Sequence, residues 1–302
     1  FRRRVARQAK EKWRSYLYKR GACNRKMVGQ NQRKTFLRAM LYLLPALVII
    51  AVFVIFPMIH TVRMSLYKEF NIFTKTGSGF GLSSYIWVLK DPNFHKAILN
   101  TFVYAFVTVP VSMAISLVIA TLLNSGIKGS RFFQTAYFLP YVTNAIAIGL
   151  AFRFIFHSEF GIFNKIIEFF GGNAIGWLSD PKYSMATLCI FGIWSSLAFK
   201  IVIFLAGLQA VDPQLYQAAR IDEASKWKQF TKITIPQLSP IIAYQFVIST
   251  IGAFKAYVEV VGLFGNDGPL HSATTMVYYM YDKFYGANKY TIAAASGVLM
   301  FL

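Results

Sequence analysis

Acidic side chains are scarce: twelve Asp and Glu stand against thirty-two Lys and Arg in 302 residues, a formal net charge of +20. Cysteine is scarcer still, with only Cys23 and Cys189, which excludes the disulfide framework of a small secreted domain. The four histidines, His60, His95, His157 and His271, are scattered and form neither an HExxH pattern nor Cys/His ligand spacing, so no metal site is expected. Also missing are the GxxxxGK loop followed by Ser or Thr, the GxSxG elbow and the GxGxxG turn. Without them the chain has no phosphate cradle and no nucleophile of its own. No catalytic residue and no bound cofactor are expected, and the chain is not read as an enzyme.

What it has instead is apolar length. The chain is 56% hydrophobic, 17% aromatic and only 15% charged, more apolar side chain than a soluble domain of this size needs to bury. A bilayer core takes about 20 apolar residues per helix. Five such runs are complete, at about Ala39 to Ile59, Ile98 to Leu123, Phe132 to Phe156, Ser184 to Ala210 and Ser239 to Phe264. A sixth begins near Tyr290 and is still apolar at Leu302, so it is expected to continue. The first residue is Phe, which suggests a trimmed start, and the long basic N-terminus does not look like a cleavable signal. The predicted fold is all-α: a polytopic membrane protein of six transmembrane helices, with a basic N-terminal segment over 1–38 and a transmembrane domain over 39–302.

Charge placement orients the spans. Residues 1–38 hold fourteen Lys or Arg, Arg2, Arg3, Arg4, Arg7, Lys10, Lys12 and Arg14 among them, against the single acid Glu11. The positive-inside rule puts that end in the cytoplasm. Lys128 and Arg131 after the second span, and Arg220, Lys226, Lys228 and Lys232 after the fourth, then also fall inside. The alternate connections are mixed or near neutral. An Arg-rich arm with Trp13, Tyr16 and Tyr18 has the composition of a nucleic-acid binder, but a basic aromatic segment before a first span is better read as lying on anionic lipid headgroups. Membrane lipids are expected as partners and nucleic acid is not.

A polar stretch at 212–236 interrupts the apolar runs. Asp212 before Pro213 is a good helix start, and Ala218 and Ala219 keep one face slim. Ser225 offers a second cap, and Trp227, Phe230 and Ile233 recur every third residue, as on a second amphipathic helix. Pro236 and Pro240 are expected to end that helix and begin the fifth span. By composition alone the stretch either packs on its own bundle or docks another protein.

The segment Gln217-Ala218-Ala219-Arg220-Ile221-Asp222-Glu223-Ala224, followed after eight residues by Ile233-Thr234-Ile235-Pro236, resembles the EAA motif of the membrane subunits of ATP-binding-cassette importers. In the carbohydrate-importer form that motif reads E-A-A-x-x-D-G-A and then I-x-L-P, and the spacing agrees. Gln217 stands for Glu, Glu223 for Gly and Ile235 for Leu. Gly tolerates a left-handed turn that Glu resists, so an altered bend is expected at Glu223. Phe204-Leu205-Ala206-Gly207-Leu208-Gln209, Phe138-Leu139-Pro140, Gly161-Ile162-Phe163-Asn164, Gly268-Pro269 and Thr274-Thr275 are likewise similar to the carbohydrate-uptake permeases, relatives of the maltose and glycerol-phosphate importers. The resemblance covers about Leu41 to Leu302.

The resemblance implies a multi-pass subunit of a bacterial cytoplasmic (inner) membrane, paired with a second, related permease. Two ATPase subunits, carrying ATP and Mg, would dock on Gln217, Ala218, Ala219, Asp222, Glu223, Ala224 and Pro236. An extracytoplasmic solute-binding protein would deliver an oligosaccharide. Candidates for the substrate path are the intramembrane charges Lys200, Lys255 and Glu259, since charge at the bilayer centre costs roughly 2.5–3.5 kcal/mol, with Tyr257, Trp194 and Asn144 as groups suited to sugar rings and hydroxyls. Lys255 and Glu259, four apart, share a helical face where they could instead pair with each other. Lys200 has no acid within a turn, and with Lys255 it extends the expectation to acidic sugars such as uronate oligomers. Arg63 and Arg153 are read as snorkelling to headgroups. The alternative function is an ion-coupled secondary transporter or channel, which would require inverted repeats and ion-binding acids; Glu259 is one such acid, and no repeat is evident. A membrane anchor scaffolding an enzyme complex would leave the polar stretch unexplained.

Overall fold

The computed structural model describes residues 35–126 and 129–302. Arg2, Arg3, Arg4, Arg7, Lys10, Lys12, Arg14, Cys23 and Lys128 lie outside them, as do the side chains of Arg131, Phe138, Leu139 and Pro140. The first helix, α1, runs Thr35–Ser65 and is apolar enough to cross a membrane. The chain divides into two units at Arg63 and Met64, within α1.

The second unit opens with a feature the all-α expectation did not contain, an antiparallel hairpin of β1 (Tyr67–Asn71) and β2 (Thr76–Phe80), with Tyr67 opposite Phe80. Asn71 Oδ1 accepts from the Phe73 and Thr74 amides and sets the turn. Helices α2 (Ser83–Lys90) and α3 (Pro92–Asn124) follow. Asp91 caps α3 through the Asn93 amide and also accepts from the Tyr279 hydroxyl at 2.7 Å.

Among the described residues four helices are long and apolar enough to span a bilayer: α1, α3, α7 (Pro181–Gln209) and α9 (Lys226–Phe254). The expected third span is divided into α4 (Ser130–Val142) and α5 (Ala145–Ile155). Asn144 accounts for the division, because its Oδ1 accepts from the Ile146 and Ala147 amides and caps α5. The short helix α6 (Ile162–Phe169) follows α5, and the fully buried Asn164 ties its surroundings together. Asn164 donates to the Ser158 and Ile175 carbonyls and accepts from the Ile175 amide and the Trp177 indole. Beyond α7 come α8 (Pro213–Ile221), α9, α10 (Val258–Phe264), α11 (Met276–Tyr281) and α12 (Tyr290–Phe301).

The expected fifth span also departs from a single rod. Helix α9 stops at Phe254, Tyr257 sits at φ −145°, ψ −49°, and α10 restarts at Val258. An interrupted helix at this depth must find other partners for its backbone. Thr275 supplies one, donating from Oγ1 to the Ala256 carbonyl at 2.6 Å. The loop that carries Thr275 is itself held to α3, since Asn100 donates to the Ser272 and Thr274 carbonyls and Thr101 Oγ1 accepts from the Met276 amide.

The core runs along α3 and α7 and continues onto α5, α9 and α10. Phe152, Phe156, Leu188, Phe191, Val260 and Leu263 form its largest cluster. Where α5 crosses α10 the backbones nearly touch: a Cβ at Gly149 would lie 2.5 Å from the Gly262 carbonyl carbon. Small residues at a crossing permit this approach where lipid offers no hydrophobic drive between helices. Arg153 Nε donates to the Leu263 carbonyl at 2.8 Å. It therefore satisfies the end of α10 rather than reaching for headgroups as expected.

Candidate functional site

Two polar regions interrupt the apolar framework. The first is the α8 turn. Asp212 Oδ1 accepts from the Gln214 amide at 2.9 Å, and Pro213, which has no N–H to leave orphaned, occupies the first turn. At the other end the Glu223 amide donates to the Arg220 carbonyl and the Ala224 amide to the Ala219 carbonyl, at 3.1 and 2.9 Å. These two bonds make the Schellman closure, which needs its C′ residue left-handed. Glu223 adopts φ 52° and supplies it. The bend expected to change at Glu223 is therefore kept, and the two closing hydrogen bonds offset a left-handed cost of about 1–2 kcal/mol.

Ser225 caps the helix that follows, accepting from the Lys228 amide. Pro236 does not break that helix as expected. A π turn at Phe230–Thr234 lies directly before it, and α9 continues to Phe254. Wider turns of this kind absorb a local defect without ending the helix. Helix α8 has no buried residue; Gln217, Ala218, Asp222, Glu223 and Pro236 are exposed, with Ala219 and Ala224 half-buried. Ile221 and Trp227 stand 83% and 73% exposed on the same loop. Tyr216 joins α8 to α9 through a 2.9 Å hydrogen bond between its hydroxyl and Thr234 Oγ1.

The second region is a cavity of about 360 Å³ among α3, α5, α7, α9 and α10. Of the path candidates it brings together Lys200, Glu259 and Trp194. Lys200 is 5% exposed, and its ammonium donates to Ser112 Oγ at 2.7 Å and Ser196 Oγ at 2.9 Å. It forms no ion pair among the described residues. Trp194 packs on Phe152 with ring centroids 4.6 Å apart and lines the cavity.

Asn144, Lys255 and Tyr257 are not among the lining residues. Asn144 is committed to capping α5. Lys255 is exposed at the end of α9, and Tyr257 stacks among Tyr278 and Tyr281. The alternative pairing of Lys255 with Glu259 is also overturned, because the helix breaks between them and no such ion pair forms among the described residues.

Sequence reasoning missed Tyr104, Ser112 and Gln245. Gln245 is 1% exposed and lines the cavity. Its Nε2 donates to Ser249 Oγ at 3.2 Å, while its Oε1 has no hydrogen-bond partner among the described residues. An unpaired buried acceptor costs about 1–3 kcal/mol, which makes Gln245 the least satisfied polar group in the wall of the cavity among the described residues. A Gln in the middle of an apolar run was the available signal.

Several helices of membrane length, a cavity with polar groups in its wall and an exposed helix-turn-helix loop define a multi-pass membrane protein. The chain belongs to the binding-protein-dependent transport system inner membrane components, whose family model matches residues 77–302. It is 33% identical over 246 residues to the lactose transport system permease protein LacF of Rhizobium radiobacter, covering 80% of this chain and 81% of that one. It is also 33% identical to the arabinooligosaccharides transport system permease protein AraP of Bacillus subtilis, covering 87% and 83%. The likeness to carbohydrate-uptake permeases read from the 217–236 segment is thus borne out. A chain of the bacterial alginate ABC transporter, solved with an alginate pentasaccharide-bound periplasmic protein, superposes with a TM-score of 0.75 over 89% of each chain at 22% identity. That likeness concerns the fold.

Proposed function

We propose that the chain is one half of the translocation path of an ATP-binding-cassette importer for oligosaccharides. A second permease supplies the other half, and a solute-binding protein delivers the sugar to the face opposite the α8 turn. Two ATPase subunits, which bind and hydrolyse ATP with Mg, dock below the permease pair at the cytoplasmic face, the side on which the N-terminus also lies, and the α8 turn is this chain's point of contact with them. This chain's part is mechanical. ATP-driven closure of the ATPase pair moves α8, and α9 carries the movement to the cavity, where the sugar is exposed to one side and then the other without chemical change.

The observation that carries this reading is the α8 turn: an exposed helix with no buried residue, closed by its own hydrogen bonds and joined to α9 by Tyr216 and Thr234. A helix serving only its own bundle would bury a face. The test is co-purification with the cognate ATPase and ATP-driven uptake in proteoliposomes, comparing wild type with Ala218→Arg. The bulky charge on the slim face should weaken ATPase association about thirtyfold, the loss of one interface hot spot, and uptake should fall with it. Intact association and uptake would remove the docking role from α8.

A further inference from the structure

Two charged groups line the cavity, Lys200 and Glu259. Lys200 lies against Ser112 on α3, Glu259 lies in the first turn of α10, and no ion pair joins them among the described residues.

The two hydroxyls that hold Lys200 do not neutralise it either. Ser112 Oγ donates its proton to the Thr108 carbonyl and approaches the Val109 carbonyl at 3.1 Å, and Ser196 Oγ donates to the Ile193 carbonyl at 3.0 Å. With their protons committed to helix carbonyls, both oxygens offer Lys200 only lone pairs. An ammonium has three N–H donors, and two are used here. A buried cation in this state has no counter-ion among the described residues, a costly arrangement unless an anion visits.

We infer that the Lys200 end of the cavity is an anion subsite that reads a carboxylate on the solute, so that the sugars carried are acidic, uronate oligomers by class. The inference rests on the permease reading and adds the solute's charge and orientation to it. The carboxylate meets Lys200, at the end of the cavity nearer the α8 turn. A sugar ring lies on Trp194, which lines the same cavity. Sugar hydroxyls that reach Glu259 donate to it.

The experiment measures direct binding by the assembled importer in detergent, without added solute-binding protein, so that the selectivity of that partner does not enter. The probes are radiolabelled trigalacturonate, its neutral methyl ester, and maltotriose. Wild type should bind the acid about tenfold or more tightly than the ester, the scale of one charge-assisted hydrogen bond. Lys200→Met should abolish that preference while leaving ester binding within about twofold, and Lys200→Arg should restore it to within a few-fold. Three results overturn the inference: an ester that binds as tightly as the acid, a Lys200→Met importer that loses both ligands equally, or no binding of acid or ester. ATPase association and ATP-driven uptake of a neutral oligosaccharide, followed on the same preparations, separate the two readings. If they persist while the acid preference fails, only the subsite is lost; if they too are absent, the permease reading fails with it.

Discussion

In the α8 turn most polar groups find partners within five residues, Tyr216 with Thr234 apart: Asp212 with Gln214, Ala224 with Ala219, Glu223 with Arg220, Gln229 with Ala224. In and around the cavity the partners come from far along the chain. Lys200 reaches Ser112 across 88 residues, Arg153 reaches Leu263 across 110, and Asn100 reaches Thr274 across 174. The turn can hold its shape alone and leave its outer surface for something else. The cavity exists only once the helices have assembled, and it keeps two polar groups, Lys200 and Gln245, short of partners. One region is finished and outward-facing; the other is left incomplete and inward-facing.

That contrast can be broken from the inside first. Gly149→Leu would drive a side chain into the Gly262 backbone and should lower stability by about 3 kcal/mol, the upper range for overpacking, read as a lost melting transition in detergent. Thr275→Val removes the donor to the Ala256 carbonyl and the acceptor for the Tyr278 amide. About 2 kcal/mol should go with them, and proteolysis should become faster at 255–257; unchanged cleavage there would mean that the break does not depend on Thr275. In the turn the effects should be smaller and confined. Asp212→Ala removes one cap and should cost about 1 kcal/mol, with weaker ATPase association and unchanged solute binding. Glu223→Gly should be close to neutral or stabilising by about 0.5 kcal/mol, because relief of about 1–2 kcal/mol of left-handed cost exceeds the 0.5–1 kcal/mol entropy of glycine. A clear loss of stability in Glu223→Gly would mean that the glutamate side chain itself holds the turn.

The same contrast decides what could be read from the sequence. The turn was legible because its determinants are local: a cap residue before Pro213, small residues at 218 and 219, and spacing to Pro236. Even there the conformation of Glu223 was misjudged, because propensity at one position was weighed without the two backbone bonds that compensate it. Lys200 was legible as a cation with no acid within a turn. The break after Phe254 was not, since Ser239 to Phe264 reads as one largely apolar run with charges only at Lys255 and Glu259, and the residue that secures the break, Thr275, lies 19 positions beyond Ala256. With the break unseen, Lys255 and Glu259 were placed on one face. Asn144 was judged by its chemistry, which suits a sugar, when the backbone of α5 had already claimed it. Tyr104, Ser112 and Gln245 become neighbours only through the packing of α3, α7 and α9, which periodicity within one helix does not encode.

The interruption between α9 and α10 has a mechanical meaning. Helix α9 is 29 residues long, a rod of about 44 Å, fastened to the α8 turn at one end and released from α10 at the other. Gln245 and Ser249 lie on α9 between that turn and the break, which Thr275 anchors at Ala256, and the Gly149–Gly262 crossing lies beyond it on α10. A break there means that bending of α9 need not be transmitted to α10 as it would be along one continuous rod.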